Sequence, residues 1–218
     1  MPDFKIVVSD PTAKNIRVIP VKVIGTPDLS YDERHKEQRE FVLCKANPKL
    51  IEMLNPALGV VVIRIWKNKA NREKVNIIAK IVKDASLDVQ TVFVPEALLR
   101  EKLGVGEAIG EIFRAPAFQI RVSGADASKL IGLKIGDRFE GSLIGLSNVQ
   151  LEIRGGSDLA GFPMRIDIAG PVKKYVLLSQ GPGFKPREDG EKRRKLVRGN
   201  TISEDIVQIN TVAIFIKI

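Results

Sequence analysis

Short β-branched runs, broken by glycine, proline and charge, dominate the chain, and helical periodicity is confined to a few turns. Phe4–Val8 is apolar and β-rich, and Asp10-Pro11 closes it as a turn. Ile16–Ile24 alternates but slips in parity at Pro20, which predicts an edge strand or a bulge. Gly25–Arg39 is polar, charged and interrupted by Pro27, and reads as a loop. After the short strand Phe41–Cys44, Asn47-Pro48 supplies an N-cap and a proline at the first helical position. The helix it opens, Lys49–Asn55, sets Leu50, Ile51 and Leu54 on one face. Gly59–Trp66 and Val75–Val82 are strands joined by the polar hairpin loop Lys67–Lys74, with Trp66 and Cys44 in or near the core. Further strands fall at Phe118–Val122, Val149–Ile153 and Lys174–Ser179, with a brief pairing at Leu196–Arg198. Ile206–Ile218 is a long apolar strand, to be buried against a sheet. Gly155–Arg165 reads as a glycine-rich loop, and Gln180–Arg194 carries neither a helical nor a strand period.

Val94–Phe113 and Val122–Gly141 resemble each other. Each reads as a strand end, one or two helical turns, a glycine just past them (Gly104, Gly132), a tight glycine turn and another strand. Glycine suits the left-handed residue that ends such a helix. The Gly132-Leu-Lys-Ile-Gly136-Asp137 stretch is similar to the turn of six-stranded cradle-loop barrels, so two small β-barrel-like units are expected, one near each segment.

Composition narrows the chemistry. A length of 218 residues, 44% hydrophobic and 28% charged, fits one large or two small domains with an ordinary core. A single cysteine, Cys44, excludes an internal disulfide framework and a cysteine-rich zinc site. The single histidine, His35, lies among Glu33, Arg34, Lys36 and Glu37, a solvated surface setting. No run approaches 18 apolar residues, and Met1-Pro-Asp-Phe-Lys5 lacks a signal peptide's apolar core, so a soluble intracellular protein with no membrane partner is expected. Gly104-x-Gly106-x-x-x-Gly110 has the wrong spacing for a dinucleotide fingerprint, and Gly181-Pro-Gly183 lacks the Gly-Lys-Ser/Thr ending of a phosphate loop. Gly155-Gly-Ser-Asp158 could form a phosphate cradle or nucleophile turn but has no histidine partner; Asp158 reads as a turn former. The expectation is a non-enzyme with no cofactor, no metal and no small-molecule substrate.

Charge supplies the positive signal. The net charge is +9, and residues 171–199 carry +6 of it, nine basic against three acidic side chains. The nine are Lys173, Lys174, Lys185, Arg187, Lys192, Arg193, Arg194, Lys195 and Arg198, with Arg165 just upstream. Four adjacent cations, Lys192–Lys195, repel one another unless an anion separates them. A short basic run alone is equally a solvated loop or a localisation-type signal. Here prolines keep the segment extended, while Gly155, Gly156, Gly161, Gly181, Gly183 and Gly199 are candidates for close backbone approach to phosphate. Arginine adds bidentate geometry for phosphates and base edges. Phe162 and Phe184 suit either stacking on an unpaired base or anchoring the loop to its own domain. The pattern is that of a polyanion binder.

Several stretches resemble the archaeal and eukaryotic type of small-subunit ribosomal protein 6. They are Lys129–Gly141, Gly155–Arg165, Val176–Phe184, Gly190–Ser203 and Asp205–Asn210, in order over roughly 90 residues, and Asp3–Pro11 resembles that family's first strand. The resemblance implies a structural component of the small ribosomal subunit, cytoplasmic and ribosome-bound, with small-subunit rRNA and neighbouring ribosomal proteins as partners. Archaeal members usually run directly from the first strand to the second, here Phe118–Val122. In this chain about 105 residues intervene, which implies an insertion in the first β-turn, where loop tips tolerate one. The expected architecture is mainly β: residues 1–11 and 117–218 form a small β-barrel-like core with a long basic irregular loop, and 12–116 an inserted β-rich (α+β) domain of charge +5. Ending at Ile218, the chain lacks the long basic C-terminal helix whose phosphorylation regulates eukaryotic members. The rival readings are a DNA-binding or chromatin-associated protein using the same loop, and an RNA-processing enzyme with a barrel accessory domain. The first calls for a basic recognition helix and the second for a catalytic constellation; neither pattern is visible in the sequence.

Overall fold

The computed structural model describes residues 2–13, 16–68 and 71–215. In chain order its elements are β1 (Asp3–Ser9), β2 (Ile19–Thr26), α1 (Glu33–Lys36), β3 (Val42–Ala46), α2 (Pro48–Leu54), β4 (Val60–Asn68), β5 (Glu73–Lys83), β6 (Thr91–Pro95) and α3 (Glu96–Leu103). There follow β7 (Glu107–Arg114), β8 (Ala117–Ser123), α4 (Ala125–Ser128), β9 (Arg138–Glu140), β10 (Val149–Asp158), β11 (Lys173–Leu178), β12 (Arg193–Arg198) and β13 (Ile206–Phe215). The fold is mainly β. Two compact units share the chain: Met1–Ser9 with Gln119–Ile218, and Asp10–Phe118.

The middle unit is a closed six-stranded barrel in the order β2-β6-β3-β5-β4-β7. Alternation along each strand turns one set of side chains inward. Val21, Val23, Cys44, Val61, Ile63, Ile65, Ile77 and Ile112 form the filling, and Leu50, Leu54, Leu98 and Leu99 of the two helices join the same core. Asn47 caps α2 by accepting the Lys49 N–H at 2.9 Å, with Pro48 at the first position, as the sequence predicts. Pro20 produces no bulge. Its strand keeps continuous register with β7, from Ile19↔Ile112 to Ile24↔Glu107. Lys22 donates its N–H to Gln90, so the nitrogen of Pro20 points to that same side, where β6 has not yet begun.

The barrel has an internal two-fold relation. Exchanging β2 with β5, β3 with β6 and β4 with β7 leaves every neighbour and every parallel or antiparallel sense unchanged. Helix α2 follows β3 as α3 follows β6, and each ends on a left-handed residue, Asn55 (φ 42°) and Gly104 (φ 74°). The topological partner of the 94–113 passage is therefore the β3–α2–β4 passage, not 122–141. The latter does run strand, helical turn, left-handed Gly132 (φ 89°) and strand, but in the other unit.

The outer unit is a five-stranded sheet, β8-β1-β13-β10-β9. Here β1 lies parallel to β13 (Lys5↔Gln208 to Ser9↔Val212), and β10 antiparallel to β13. Phe4, Ile6 and Val8 alternate into its core with Leu151, Ile153, Ile209 and Ala213. Among the described residues this sheet does not close, so the second unit is β-rich as expected but not a closed barrel. The reason lies in its strands: β9 has three residues, and β11 and β12 pair with each other instead of extending the sheet. The glycine-rich loop expected from Gly155 is also replaced in part. Strand β10 continues through Gly155 and Gly156 to Asp158, with register shifts at Ile153/Gly155 and Ser157/Asp158. A Cβ on Gly156 would strike the Gln208 carbonyl oxygen of the neighbouring strand, so the residue is a close-packing glycine within a sheet. The last strand is described to Phe215; residues 216–218 lie outside the described residues.

Candidate nucleic-acid interface

The basic segment folds as an antiparallel ribbon closed by a 14-residue loop. Strands β11 and β12 pair from Lys173↔Arg198 to Leu178↔Arg193, so Arg193 and Arg194 lie in a regular strand rather than in the irregular segment Gln180–Arg194 the sequence predicts, and the strand runs on through Lys195. Cross-strand apolar partners explain this. Leu177 faces Arg194 and Val176 faces Lys195, giving the charged strand packing it lacks on its own. One ribbon face is closed: Leu178 and Val197 are buried with Ile168, and Val176 and Phe184 pack beside them. Phe184 therefore anchors the loop. Its N–H donates to the Gly181 carbonyl at 3.0 Å, and Gly183 (φ 93°) completes that turn in the left-handed region.

The ten predicted cations divide by geometry. Arg198 is buried, donating from Nε to Asp158 at 3.1 Å and from Nη2 to Asp205 at 2.8 Å. Arg165 donates through Nε and Nη2 to both carboxylate oxygens of Asp167, each at 2.9 Å, and through Nη1 to the Pro182 carbonyl at 3.1 Å. Arg198 ties the ribbon to β10, and Arg165 ties the loop at Pro182 to the Arg165–Asp167 segment. Lys173 lies 3.4 Å from Asp158 and stands over the Phe162 ring at 4.7 Å. Arg193 donates to Glu191 at 2.6 Å, and Glu191 also accepts the Arg187 N–H at 2.7 Å. That backbone donor, together with Arg193, holds the Glu191 carboxyl below its ordinary range despite its partial desolvation. Lys174, Lys185, Arg187, Lys192, Arg194 and Lys195 are exposed, and their side chains make no ion pair among the described residues. They sit together on the ribbon and its loop.

Asp158 organises the base of this arm. Burial pushes its carboxyl up, but the Phe162 N–H at 2.8 Å, Arg198 and Lys173 outweigh burial and hold it below the usual carboxylate range. The Asp158 oxygen bonding Phe162 is the turn-forming role read from sequence. Its link to Arg198, 40 positions away, has no signal in a single sequence. The same holds for Asp205, Asp167 and Glu191, the acids that fix the arm. Of the six candidate glycines, Gly155 and Gly156 are strand residues of β10, while Gly161, Gly181 and Gly183 have φ of 82°, 102° and 93°. Gly199 is buried, and a Cβ there would strike the Gly170 carbonyl oxygen.

Cys44 is wholly buried in the barrel, and burial pushes its thiol up to about 12. His35 is half-buried and accepts the Asp32 N–H at 3.1 Å, bracing its own helix. No group of three or more His, Cys, Asp or Glu suited to a metal occurs among the described residues, and no described helix is long and apolar enough to cross a membrane. The longest described helix is α3, eight residues with two acidic and two basic side chains among them.

A closed barrel in one unit, and in the other a five-stranded sheet with a cationic two-stranded arm, define a β-rich protein of two units. Residues 108–215, the whole arm included, match the family model described as ribosomal protein S6e. The chain is 53% identical over 218 residues to the small ribosomal subunit protein eS6 of Hyperthermus butylicus, covering 100% of this chain and 99% of that protein. It is 53% identical over 213 residues to the protein of the same description from Staphylothermus marinus, covering 97% and 98%. With that of Saccharolobus solfataricus it shares 41% over 216 residues, covering 98% and 100%. The chain belongs to the ribosomal protein S6e family, and these archaeal relatives align with it through the barrel segment as well as the arm.

Proposed function

We propose that this chain is a structural component of the small ribosomal subunit that binds and stabilises rRNA through the β11–β12 ribbon and its Gly/Pro-rich loop. The observation that supports this reading is the grouping of six exposed cations, without ion-pair partners among the described residues, on one arm that Arg198 and Lys173 tie to Asp158 of β10. Opposing phosphates relieve the mutual repulsion of Lys192–Lys195 and release condensed counterions. Arg165, Arg198 and Lys173 act one layer back, holding the arm in place. Gly199 and Gly156 serve the same end, by close packing of backbone on backbone. The loop prolines keep the arm extended before it meets RNA. In this reading the protein is ribosome-bound in the cytoplasm, touches neighbouring ribosomal proteins, and needs no cofactor, metal or small-molecule substrate. The inserted segment 12–116 is a domain set into one turn of the rRNA-binding fold.

The test is co-sedimentation with small subunits in sucrose gradients. Wild-type protein is expected in the small-subunit fraction, and a variant with Ala at Lys192, Arg193, Arg194 and Lys195 is expected to shift toward the top as salt is raised. Equal retention of both proteins at every salt concentration removes the arm from the binding surface. A DNA-binding or chromatin-associated role predicts instead that the wild type stays off the subunit.

A further inference from the structure

The outward face of the ribbon has a composition that phosphate contacts alone do not require. Its inner face is closed over Leu178 and Val197. On the opposite face Tyr175 is 61% and Leu177 64% exposed, large apolar surfaces in the middle of a cationic arm. Register fixes their neighbours: Tyr175 faces Leu196, and Leu177 faces Arg194. The Arg194 guanidinium reaches diagonally over the Tyr175 ring, 5.7 Å from its centroid. Lys173 lies on the same face two residues before Tyr175, about 7 Å along the strand. An open aromatic ring braced by a guanidinium and flanked by cations is the chemistry that receives an unpaired nucleobase, because stacking and backbone neutralisation act side by side.

We infer that Tyr175 is a base-stacking platform for an unstacked nucleotide of rRNA, with Arg194 bracing the ring and neutralising the adjoining phosphate. The inference rests on the proposed rRNA-binding role of the arm. Charge separates it from docking of another protein. Every charged side chain along the two strands is basic, and the acids nearest the arm's base, Asp158, Asp167 and Asp205, are bonded to Lys173, Arg198 and Arg165. A polyanion with flat apolar bases complements such a face; an ordinary protein surface does not.

The experiment measures binding of the full-length protein to in-vitro-transcribed small-subunit rRNA over a series of salt concentrations. Tyr175 is exposed, so its variants keep the fold, which thermal unfolding checks. Tyr175→Phe is expected to bind within about twofold of wild type, because the π-face is retained. Tyr175→Ala is expected to weaken binding roughly 5- to 100-fold at every salt concentration. The slope of log affinity against log salt should stay as in the wild type, since no phosphate contact is lost. Tyr175→Leu should be as weak as the alanine variant, since it keeps apolar surface but no ring. Wild-type affinity in Tyr175→Ala overturns the platform and leaves the phosphate-binding role standing. Wild-type affinity in Tyr175→Leu, with loss in Tyr175→Ala, also overturns it and assigns the face to apolar protein docking. A wild-type affinity that does not fall with salt overturns the rRNA role and the platform together.

Discussion

Replacing Asp158 with alanine isolates what holds the cationic arm in place. The Asp158 side chain is 3% exposed, and that of its partner Arg198 is 8% exposed. Truncation leaves the Arg198 guanidinium in its buried position with Asp205 as remaining partner, itself 70% exposed, and removes the acceptor of the Phe162 N–H. Breaking a buried pair from one side costs on the order of 3–5 kcal/mol. Because Asp205 still bonds Arg198, the lower part of that range applies, about 3 kcal/mol. For a unit of roughly this size such a loss lowers Tm by about 10–20 °C. Urea unfolding followed by circular dichroism, with calorimetry alongside, gives both numbers. Adding Arg198→Met to the alanine variant should restore part of the loss, since the unpaired charge goes with it. The pH dependence has a fixed sign. The Asp158 carboxyl titrates below its unfolded value, so its contribution is present above the unfolded pKa and disappears as pH falls through the depressed folded one. The gap between wild type and Asp158→Asn should therefore be full near pH 6 and close below the ordinary carboxylate range. An alanine variant within about 0.5 kcal/mol of wild type, or a gap that does not change with pH, refutes the reasoning.

Three other outcomes follow from the same geometry. Gly199→Ala should destabilise by more than about 2 kcal/mol, because the new methyl meets the backbone oxygen of Gly170; unchanged urea unfolding would show that the segment yields freely. Cys44, with its thiol raised to about 12 and no exposure, should resist thiol reagents at pH 8 in the folded protein and react at once in denaturant; prompt native labelling would contradict the closed barrel. Joining Asp10 to Ala117 through a short Gly/Asn turn should give a soluble, cooperatively unfolding protein that keeps its rRNA affinity, since the Asp10 N–H donates to the Pro116 carbonyl at 2.9 Å and the two crossings of the chain already meet; an insoluble or molten product would make the barrel segment part of one continuous core.

The strands were legible because Val, Ile and Phe alternate with polar residues, and α2 because Asn47-Pro48 states its start. The barrel-like unit expected near Val94–Phe113 is the closed six-stranded barrel, but its strand order was not legible. That order is set by which strands become neighbours, and the two-fold relation of the barrel survives in topology while Asn47-Pro48 and Pro95-Glu96 share little beyond shape. Glycine misled at Gly155-Gly156, where close approach to Gln208 within a sheet, not a turn, demands the missing side chain. Charge misled at Arg193 and Arg194, whose β-structure is stabilised by Leu178 and Leu177 across the ribbon. The concentration of charge in 171–199 was visible at once, yet its division into anchoring arginines and exposed cations was not. That division depends on Asp158, Asp167 and Asp205, distant or unremarkable in sequence.

The central claim is that the exposed cations of the arm contact rRNA phosphates, and the slope of log affinity against log salt concentration measures it most directly. Alanine at Lys192, Arg193, Arg194 and Lys195 removes four cations, of which Arg193 is shared with Glu191. About three phosphate contacts are lost, and the slope should flatten by about 2–3 relative to wild type, with weaker binding at moderate salt. A quadruple variant with the affinity and slope of the wild type contradicts the account.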